Sequence, residues 1–229
     1  MANPKEAAGR RAADLVEDGT IIGLGTGTTC AFVFERLAER IRTEGLRVRG
    51  IPTSRRTEEA ARAFGIPLAS FDEAATLDLA IDGADEVDPR WNLIKGGGGA
   101  LLREKVVAAA SRRNVIVVGE DKRVPTLGRF PLPVEVVRFA WRPVAKALES
   151  LGCKARLRRG PAGAEFVTDE GHLILDCAFG RIEEPGALEA AIDRIPRVVE
   201  SGLFVGLVHR LVVGHEDGRV EVLDRSPAG

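Results

Sequence analysis

The sequence predicts an α/β protein, an open parallel-sheet domain joined to a smaller α+β domain, and three observations carry that expectation. Short apolar runs alternate with helical stretches through the first half of the chain. Each of those runs ends in a turn rich in Gly, Asp or Thr, and the texture changes after Gly128. Such alternation is the signature of a parallel sheet whose strands are linked by helices.

Asn3 followed by Pro4 marks a helix start, and Gly19 after Val16-Glu17-Asp18 marks its stop, so a first helix is expected near 4–18. Apolar runs at Thr20–Leu24, Val48–Ile51, Leu77–Ile81 and Asn114–Val118 read as strands, separated by helical stretches such as Ala31–Arg42 and Thr57–Phe64. A further helical stretch covers Ala100–Ala110. An open parallel sheet binds ligands outside the carboxyl ends of its strands. The four ends lead into Gly25-Thr-Gly-Thr-Thr29, Pro52-Thr-Ser54, Asp82-Gly-Ala-Asp85 and Gly119-Glu-Asp-Lys122, so one chemically loaded rim is expected.

Beyond Gly128 the order is a strand at Val134–Val137, a helix near Pro143–Ser150, strands at Lys154–Leu157 and Leu173–Cys177, a helix near Gly186–Ile195 and a run at Val198–Val205. This is β-α-β-β-α-β, the split or ferredoxin-like unit. Leu211–Val213 and Val220–Leu223 flank Glu216-Asp-Gly218 and read as a hairpin that rejoins the first domain. The expected division is a Rossmann-like α/β catalytic domain from 1–128 and 206–229, and a smaller α+β domain from 129–205.

Composition narrows the function. With 229 residues and 45% hydrophobic content the chain can bury a real core. Its 33 basic and 34 acidic side chains leave a net charge of -1, so no overall field favours nucleic acid or an anionic membrane. No apolar run approaches the roughly 20 residues that span a bilayer, and Met1–Lys5 lacks a signal-peptide core, which points to the cytoplasm. Cys30, Cys153 and Cys177 include no close-spaced pair and read as small buried residues rather than a disulfide framework or zinc site. His172, His209 and His215 lie outside every Gly-rich motif, which argues against a His-based mechanism.

Gly25-Thr-Gly-Thr-Thr29 opens onto an apolar helix, so backbone N–H groups and hydroxyls would face an anion at a helix N-terminus, with phosphate the natural guest and a plain strand-to-helix turn the alternative. A dinucleotide fingerprint fits poorly, because Thr28 stands where a third small residue is needed and the second run ends without an acidic ribose partner. A P-loop is excluded by the missing Gly-Lys-Ser/Thr ending. The Asp82 and Asp85 pair past a buried strand can bind sugar hydroxyls, move protons, hold a magnesium ion, or simply make a turn. Four glycines after Lys95 raise the cost of ordering that loop by up to about 1 kcal/mol each, so something must approach its backbone closely; the alternative is a flexible linker, against which the tight apolar flanks argue.

Glu104 lies one turn into the following helix among Leu101, Val107 and Ala108. Partial desolvation there suits a general base, and the alternative is a surface carboxylate beside Arg103 or Lys105. Only six lysines stand against twenty-seven arginines, and Lys5, Lys95 and Lys122 all fall at loop or helix-start positions. Lys5 also places a cation in a first helical turn, against the dipole.

Gly25–Thr29, Asp82–Asp85, Lys95-Gly-Gly-Gly-Gly-Ala-Leu-Leu-Arg-Glu-Lys105, Leu127-Gly-Arg-Phe-Pro-Leu-Pro-Val-Glu135 and Val199-Glu-Ser-Gly-Leu-Phe-Val205, in this order, resemble the ribose-5-phosphate isomerase type A family. The resemblance covers nearly the whole chain. It implies interconversion of ribose 5-phosphate and ribulose 5-phosphate in the non-oxidative pentose phosphate pathway, through an enediolate and without metal or organic cofactor. It further implies Glu104 as the base moving the C2 proton to C1, and Asp82, Asp85 and Lys95 as groups that open the ring, move hydroxyl protons and stabilise the enediolate oxygen.

Thr26, Gly27, Thr28, Thr29, Lys5 and Lys122 match phosphate and substrate-holding positions. Gly83, Ala84, Gly96, Gly97 and Gly98 match backbone around the sugar. Thr28 replaces a common Ser, and Asp121 replaces the usual Ser before Lys122. The family is oligomeric, commonly dimeric or tetrameric, which implies a homo-oligomer here. Two other classes stay open on the residues alone: a non-catalytic phosphosugar-binding sensor, which needs no base at Glu104, and a related amino-sugar deaminase, against which the lack of a motif histidine counts.

Overall fold

In the computed structural model, which describes residues 3–225, the alternation of apolar runs and helices resolves into six helices and thirteen strands among the described residues. First come α1 (Pro4–Ala13), β1 (Thr20–Leu24), α2 (Thr28–Glu44), β2 (Val48–Pro52), α3 (Arg55–Ala63) and β3 (Leu79–Asp82). Then follow β4 (Glu86–Val87), β5 (Leu93–Ile94), α4 (Leu101–Ala109), β6 (Asn114–Gly119), β7 (Leu132–Val136) and α5 (Trp141–Glu149). The remainder is β8 (Lys154–Leu157), β9 (Leu173–Ala178), α6 (Pro185–Asp193), β10 (Val198–Ser201), β11 (Leu203–Phe204), β12 (Arg210–Gly214) and β13 (Val220–Asp224).

These elements form two compact units, one comprising Met1–Ala84, Arg103–Lys122 and Leu207–Gly229, the other Asp85–Leu102 and Arg123–Gly206. Residues 85–102 and 123–128 therefore group with the second unit, where the sequence placed them in the first. The cause is a small sheet ordered β11-β5-β4, whose strands are two residues long and too short to register as apolar runs. The expected single run Val198–Val205 is divided at Gly202 between this sheet and a larger one.

The first unit is built on a six-stranded sheet ordered β13-β12-β6-β3-β1-β2, parallel except for the edge strand β13. The carboxyl ends lie in register, with Leu24 opposite Pro52 and Ile81, Asp82 opposite Ile116, and Gly119 opposite Gly214. The expected rim exists, and the hairpin β12–β13 rejoins it. Alternate strand residues separate the faces: Ile22, Leu24, Leu79 and Ile81 share a core with α1 and α2, while Ala80 and Ile51 pack with Val107 of α4.

Local chemistry sets the helix limits. Asn3 accepts the N–H of Lys5 at 3.1 Å and starts α1. The helix ends at Ala13, short of the expected 18, because Arg40 of α2 donates to the carbonyls of Ala13 (2.7 Å) and Val16 (2.9 Å) and satisfies acceptors the helix would otherwise have used. Helix α2 stops at a left-handed Gly45, and Ser54 caps α3 through the N–H of Thr57.

The second unit contains a four-stranded antiparallel sheet ordered β10-β7-β9-β8, with α5 after β7 and α6 after β9. This is the expected β-α-β-β-α-β arrangement. Leu132, Val134 and Val136 alternate into a core with Leu173, Leu175 and Cys177.

Helix α4 approaches β1 closely enough that a Cβ on Gly23 would lie 2.3 Å from Val107 Cγ1 and 2.9 Å from Ala80 Cβ. Gly23→Ala is therefore expected to cost about 1–3 kcal/mol of stability through overpacking. Val107→Ala in the same chain should recover part of that, so the double variant should lose less than the sum of the singles. Urea midpoints of the four proteins measure this, and additive losses would remove the contact as the constraint.

Candidate functional site

In the first unit the rim is organised by Asp82, the last residue of β3, which is buried. Its Oδ1 accepts the N–H of Thr26 at 3.1 Å and of Gly83 at 2.7 Å, with the Cys30 thiol at 3.9 Å. Gly25 permits this approach, since a Cβ there would lie 2.3 Å from Asp82 Oδ1. Gly83 has no such constraint. A Cβ on it would meet only the Val117 carbonyl at 3.8 Å, so the space over this peptide is open within the protein.

Gly27 caps α2 with φ 127° and no side-chain hydrogen bond, so the positive end of that helix dipole carries no side-chain cap. Thr28 is exposed and Thr29 half-buried at this end. Thr26 differs from its neighbours. Its hydroxyl lies 2.9 Å from both Thr53 Oγ1 and Ser54 Oγ and 2.8 Å from Thr57 Oγ1, in a cluster that also reaches the Gly25 carbonyl through Thr57 at 3.2 Å. The sequence grouped Thr26 with the ligand-holding hydroxyls; the fold uses that hydroxyl to lock the loop to α3.

Glu104 stands in the first turn of α4 and is 5% exposed, which decides between the two readings of its surroundings: it is not a solvated surface carboxylate. Lys5 lies in the first turn of α1, one turn ahead of Gly9 on the same helix face. Gly9 packs against the start of α2, where a Cβ would fall 2.8 Å from Phe32 Cβ and 3.0 Å from the Thr29 carbonyl. Lys122 closes a 3-10 turn after β6, its Nζ 3.8 Å from Asp121 Oδ2.

The β12–β13 hairpin adds two residues that spacing did not single out. Gly214 packs on the Pro4 carbonyl, which a Cβ would approach to 2.0 Å, and buried His215 places Nδ1 2.8 Å from Glu120 Oε2. They border a cavity of about 500 Å³ that also includes Pro4, Gly119 and Asp121. The turns carrying Lys5 and Lys122 thus rest on the same hairpin. Only the glycine ending a strand gave a sequence signal for this; His215 carried none.

In the second unit, Asp85 Oδ2 accepts the N–H of Gly97 at 2.7 Å, and its own N–H bonds the Ile94 carbonyl at 2.8 Å. A Cβ on Gly97 would lie 2.6 Å from Asp85 Oδ1. The four glycines form a tight turn closed by Gly99 N–H to the Gly96 carbonyl at 2.9 Å, with positive φ at Gly96 and Gly99. Gly97 and Gly98 are exposed at its tip. Lys95 is 3% exposed, its backbone paired to Gly202 at 2.9 Å and its Nζ 5.5 Å from the centre of the Phe204 ring. A Cβ on Gly202 would lie 2.3 Å from the Lys95 carbonyl, so the late Val199–Val205 motif serves as the seat of this lysine.

The Leu127–Glu135 motif is structural by the same test. Buried Glu86 accepts the N–H groups of Gly128 and Phe130, both at 2.7 Å. Glu135 is buried against Thr168 (2.8 Å) and His172 (3.0 Å), and burial pushes its carboxyl up from the ordinary value against those hydrogen bonds.

A family model described as Ribose 5-phosphate isomerase A (phosphoriboisomerase A) matches residues 49–218. A relative named Ribose-5-phosphate isomerase A from Gloeobacter violaceus is 57% identical over 226 residues, covering 98% of this chain and 97% of its own. The solved ribose 5-phosphate isomerase A of Methanocaldococcus jannaschii superposes with a TM-score of 0.92 at 41% identity, covering 97% of this chain and 98% of its own. A D-ribose-5-phosphate isomerase solved in complex with phospho-erythronic acid gives a TM-score of 0.93 at 37% identity, covering 97% and 98%.

Proposed function

The chain belongs to the ribose 5-phosphate isomerase A family, and from that premise we propose how its residues divide the work of interconverting ribose 5-phosphate and ribulose 5-phosphate. The substrate is a phosphosugar and the reaction an aldose–ketose isomerisation. The observation that carries the assignment of roles is Glu104, a carboxylate 5% exposed in the first turn of the helix that follows the glycine turn.

Glu104 takes the proton from C2 of the open-chain aldose. The C2–H electrons form the C1=C2 bond, and the C1=O1 pair moves to O1, giving a cis-enediolate. The O2 hydroxyl proton is then relayed to O1, the O2–H electrons form C2=O2, and the C1=C2 pair takes the carbon proton back from Glu104 at C1, so atoms and charge balance across the step. Asp82 and Asp85 open the ring and move the hydroxyl protons, and Lys95 stabilises the enediolate oxygen; a preorganised donor of that kind is typically worth about 3 kcal/mol. The hydrogen bonds of Asp82 to Thr26 and of Asp85 to Gly97 support this division, since a proton carrier must keep its place while its charge changes.

Thr28, Thr29 and the N–H groups after Gly27 take the phosphate, with Lys5 and Lys122 as its cations, and Thr26 holds the loop in place through Asp82 and the α3 hydroxyls. The open space over Gly83, the adjoining Ala84 and the exposed Gly97 and Gly98 take the sugar backbone. A homo-oligomeric state, a cytoplasmic setting and the absence of nucleic-acid or membrane partners belong to the same reading. Near-cancelling charge supports the last of these.

A coupled assay with ribose 5-phosphate in deuterated water tests the reaction: the ketose is expected to acquire deuterium at C1, and a product formed without solvent deuterium would exclude an exchanging carboxylate base. Glu104→Gln is expected to lower kcat by roughly 10²–10⁴-fold with KM changed little, because the base acts in the transition state. Near-parental turnover would remove Glu104 from the mechanism. Lys5→Ala and Lys122→Ala should each raise KM by roughly 10-fold or more, the order expected when a charged hydrogen bond is lost. A KM that stays put in both would leave the phosphate to the α2 loop alone.

A further inference from the structure

We propose that Arg158 is a positioning residue for the isomerisation: it holds the Gly96–Gly99 turn so that the Gly97 N–H meets the Asp85 carboxylate. The inference rests on Asp85 acting on the substrate hydroxyls as set out above. Arg158 lies just past β8, its N–H continuing the ladder to the Ile174 carbonyl at 2.8 Å. Its Nη1 donates to the carbonyls of Gly96 (2.8 Å) and Gly97 (3.2 Å). The opposite edge of the guanidinium is fixed by Asp176 of β9, with Nε at 3.0 Å from Oδ2 and Nη2 at 2.5 Å from Oδ1. The side chain is 12% exposed, so this network is largely shielded from water.

The consequence follows from peptide geometry. The 96–97 peptide is trans, as are all those described, and in a trans peptide the C=O and N–H point in opposite directions. Holding the Gly96 carbonyl against Arg158 therefore aims the Gly97 N–H the other way, which is where Asp85 Oδ2 accepts it at 2.7 Å. Holding the Gly97 carbonyl on the same guanidinium turns the Gly98 N–H away from Arg158 as well. One planar cation thus sets the direction of two consecutive backbone donors. It also polarises both peptides, which strengthens the N–H groups as donors.

Phe166 completes the clamp. Its ring centre is 5.6 Å from the Arg158 guanidinium carbon, and its Cζ occupies the place of a Cβ on Gly99, 2.3 Å away. Without such a clamp, four successive glycines would sample many backbone states. Lysine cannot substitute, because a single ammonium cannot reach two carbonyls and a bidentate carboxylate in one plane.

The experiment compares Arg158→Met, Arg158→Lys, Asp176→Asn and Asp85→Asn for kcat and KM on ribose 5-phosphate, together with the ¹⁵N–¹H signal and hydrogen exchange of the Gly97 amide. Arg158→Met and Arg158→Lys are each expected to lower kcat by about 10–100-fold with KM within threefold, and Asp176→Asn to lower it less. In all three the Gly97 amide should shift and exchange faster, a change that general destabilisation would not confine to this turn. A kcat within twofold of the parent for Arg158→Lys overturns the proposal. So does a fall in kcat with an unmoved Gly97 amide. Should Arg158→Met fail to fold, Arg158→Lys keeps the charge and the packed stem and is judged by the same criteria. If Asp85→Asn loses turnover while the Arg158 variants keep it, the positioning role alone falls. If Asp85→Asn keeps full turnover, the reading of the site falls with it.

Discussion

The Asp82 carboxylate, bonded through Oδ1 to the N–H groups of Thr26 and Gly83, is the interaction on which the rest of the rim depends. A buried carboxylate away from compensating donors is costly, and charge-assisted bonds from backbone N–H groups are among the stronger ones available. Those bonds require β1 and β3 to end within reach of each other, which the missing Cβ of Gly25 allows. Once the Thr26 N–H is committed to Asp82, its hydroxyl is turned toward Thr53, Ser54 and Thr57, so the start of α3 is tied to the same loop. Gly27 then takes φ 127° and hands the chain to α2 without a side-chain cap. A single acceptor thereby dictates the shape of the anion-facing loop.

Much of this was legible in the sequence, for a physical reason. Strands buried on both faces of a parallel sheet appear as continuous apolar runs, and the Gly, Asp and Thr residues that end them stand out against that background. Asp82 was visible from its place at the end of an apolar run, and the glycines after Lys95 because four in succession are costly to order. The strands β4, β5 and β11 were not, being two residues long, with β11 paired across a wide gap, Phe204 with Leu93. Their small sheet is why residues 85–102 belong to the second unit.

Arg158 was illegible for a different reason. It sits among Arg156 and Arg159 in a stretch that reads as a solvated edge, and no spacing rule tells which of three arginines turns inward. His215 was likewise set aside, and the fold seats it on Glu120, two residues before Lys122. Thr26 shows the converse case. Its hydroxyl looked available in a Thr-rich loop, yet the fold had already engaged it. Composition reveals that hydroxyls are present and not where they point.

Between residues 82 and 86 three carboxylates each receive backbone donors: Asp82 from Thr26 and Gly83, Asp85 from Gly97, and Glu86 from Gly128 and Phe130. Side-chain donors could have done the same, but a lysine or serine must lose rotamer freedom to hold a fixed position, whereas a peptide N–H in a locked turn has none left to lose. A peptide N–H also keeps its proton while substrate protons move. In the division of roles proposed for Asp82 and Asp85, the acceptors must hold still while charge shifts across them, and donors fixed before the substrate arrives do that without reorganising. The same demand explains the glycines. A backbone donor reaches a carboxylate only where no Cβ stands in the way, which is the case at Gly25 beside Asp82 and at Gly97 beside Asp85.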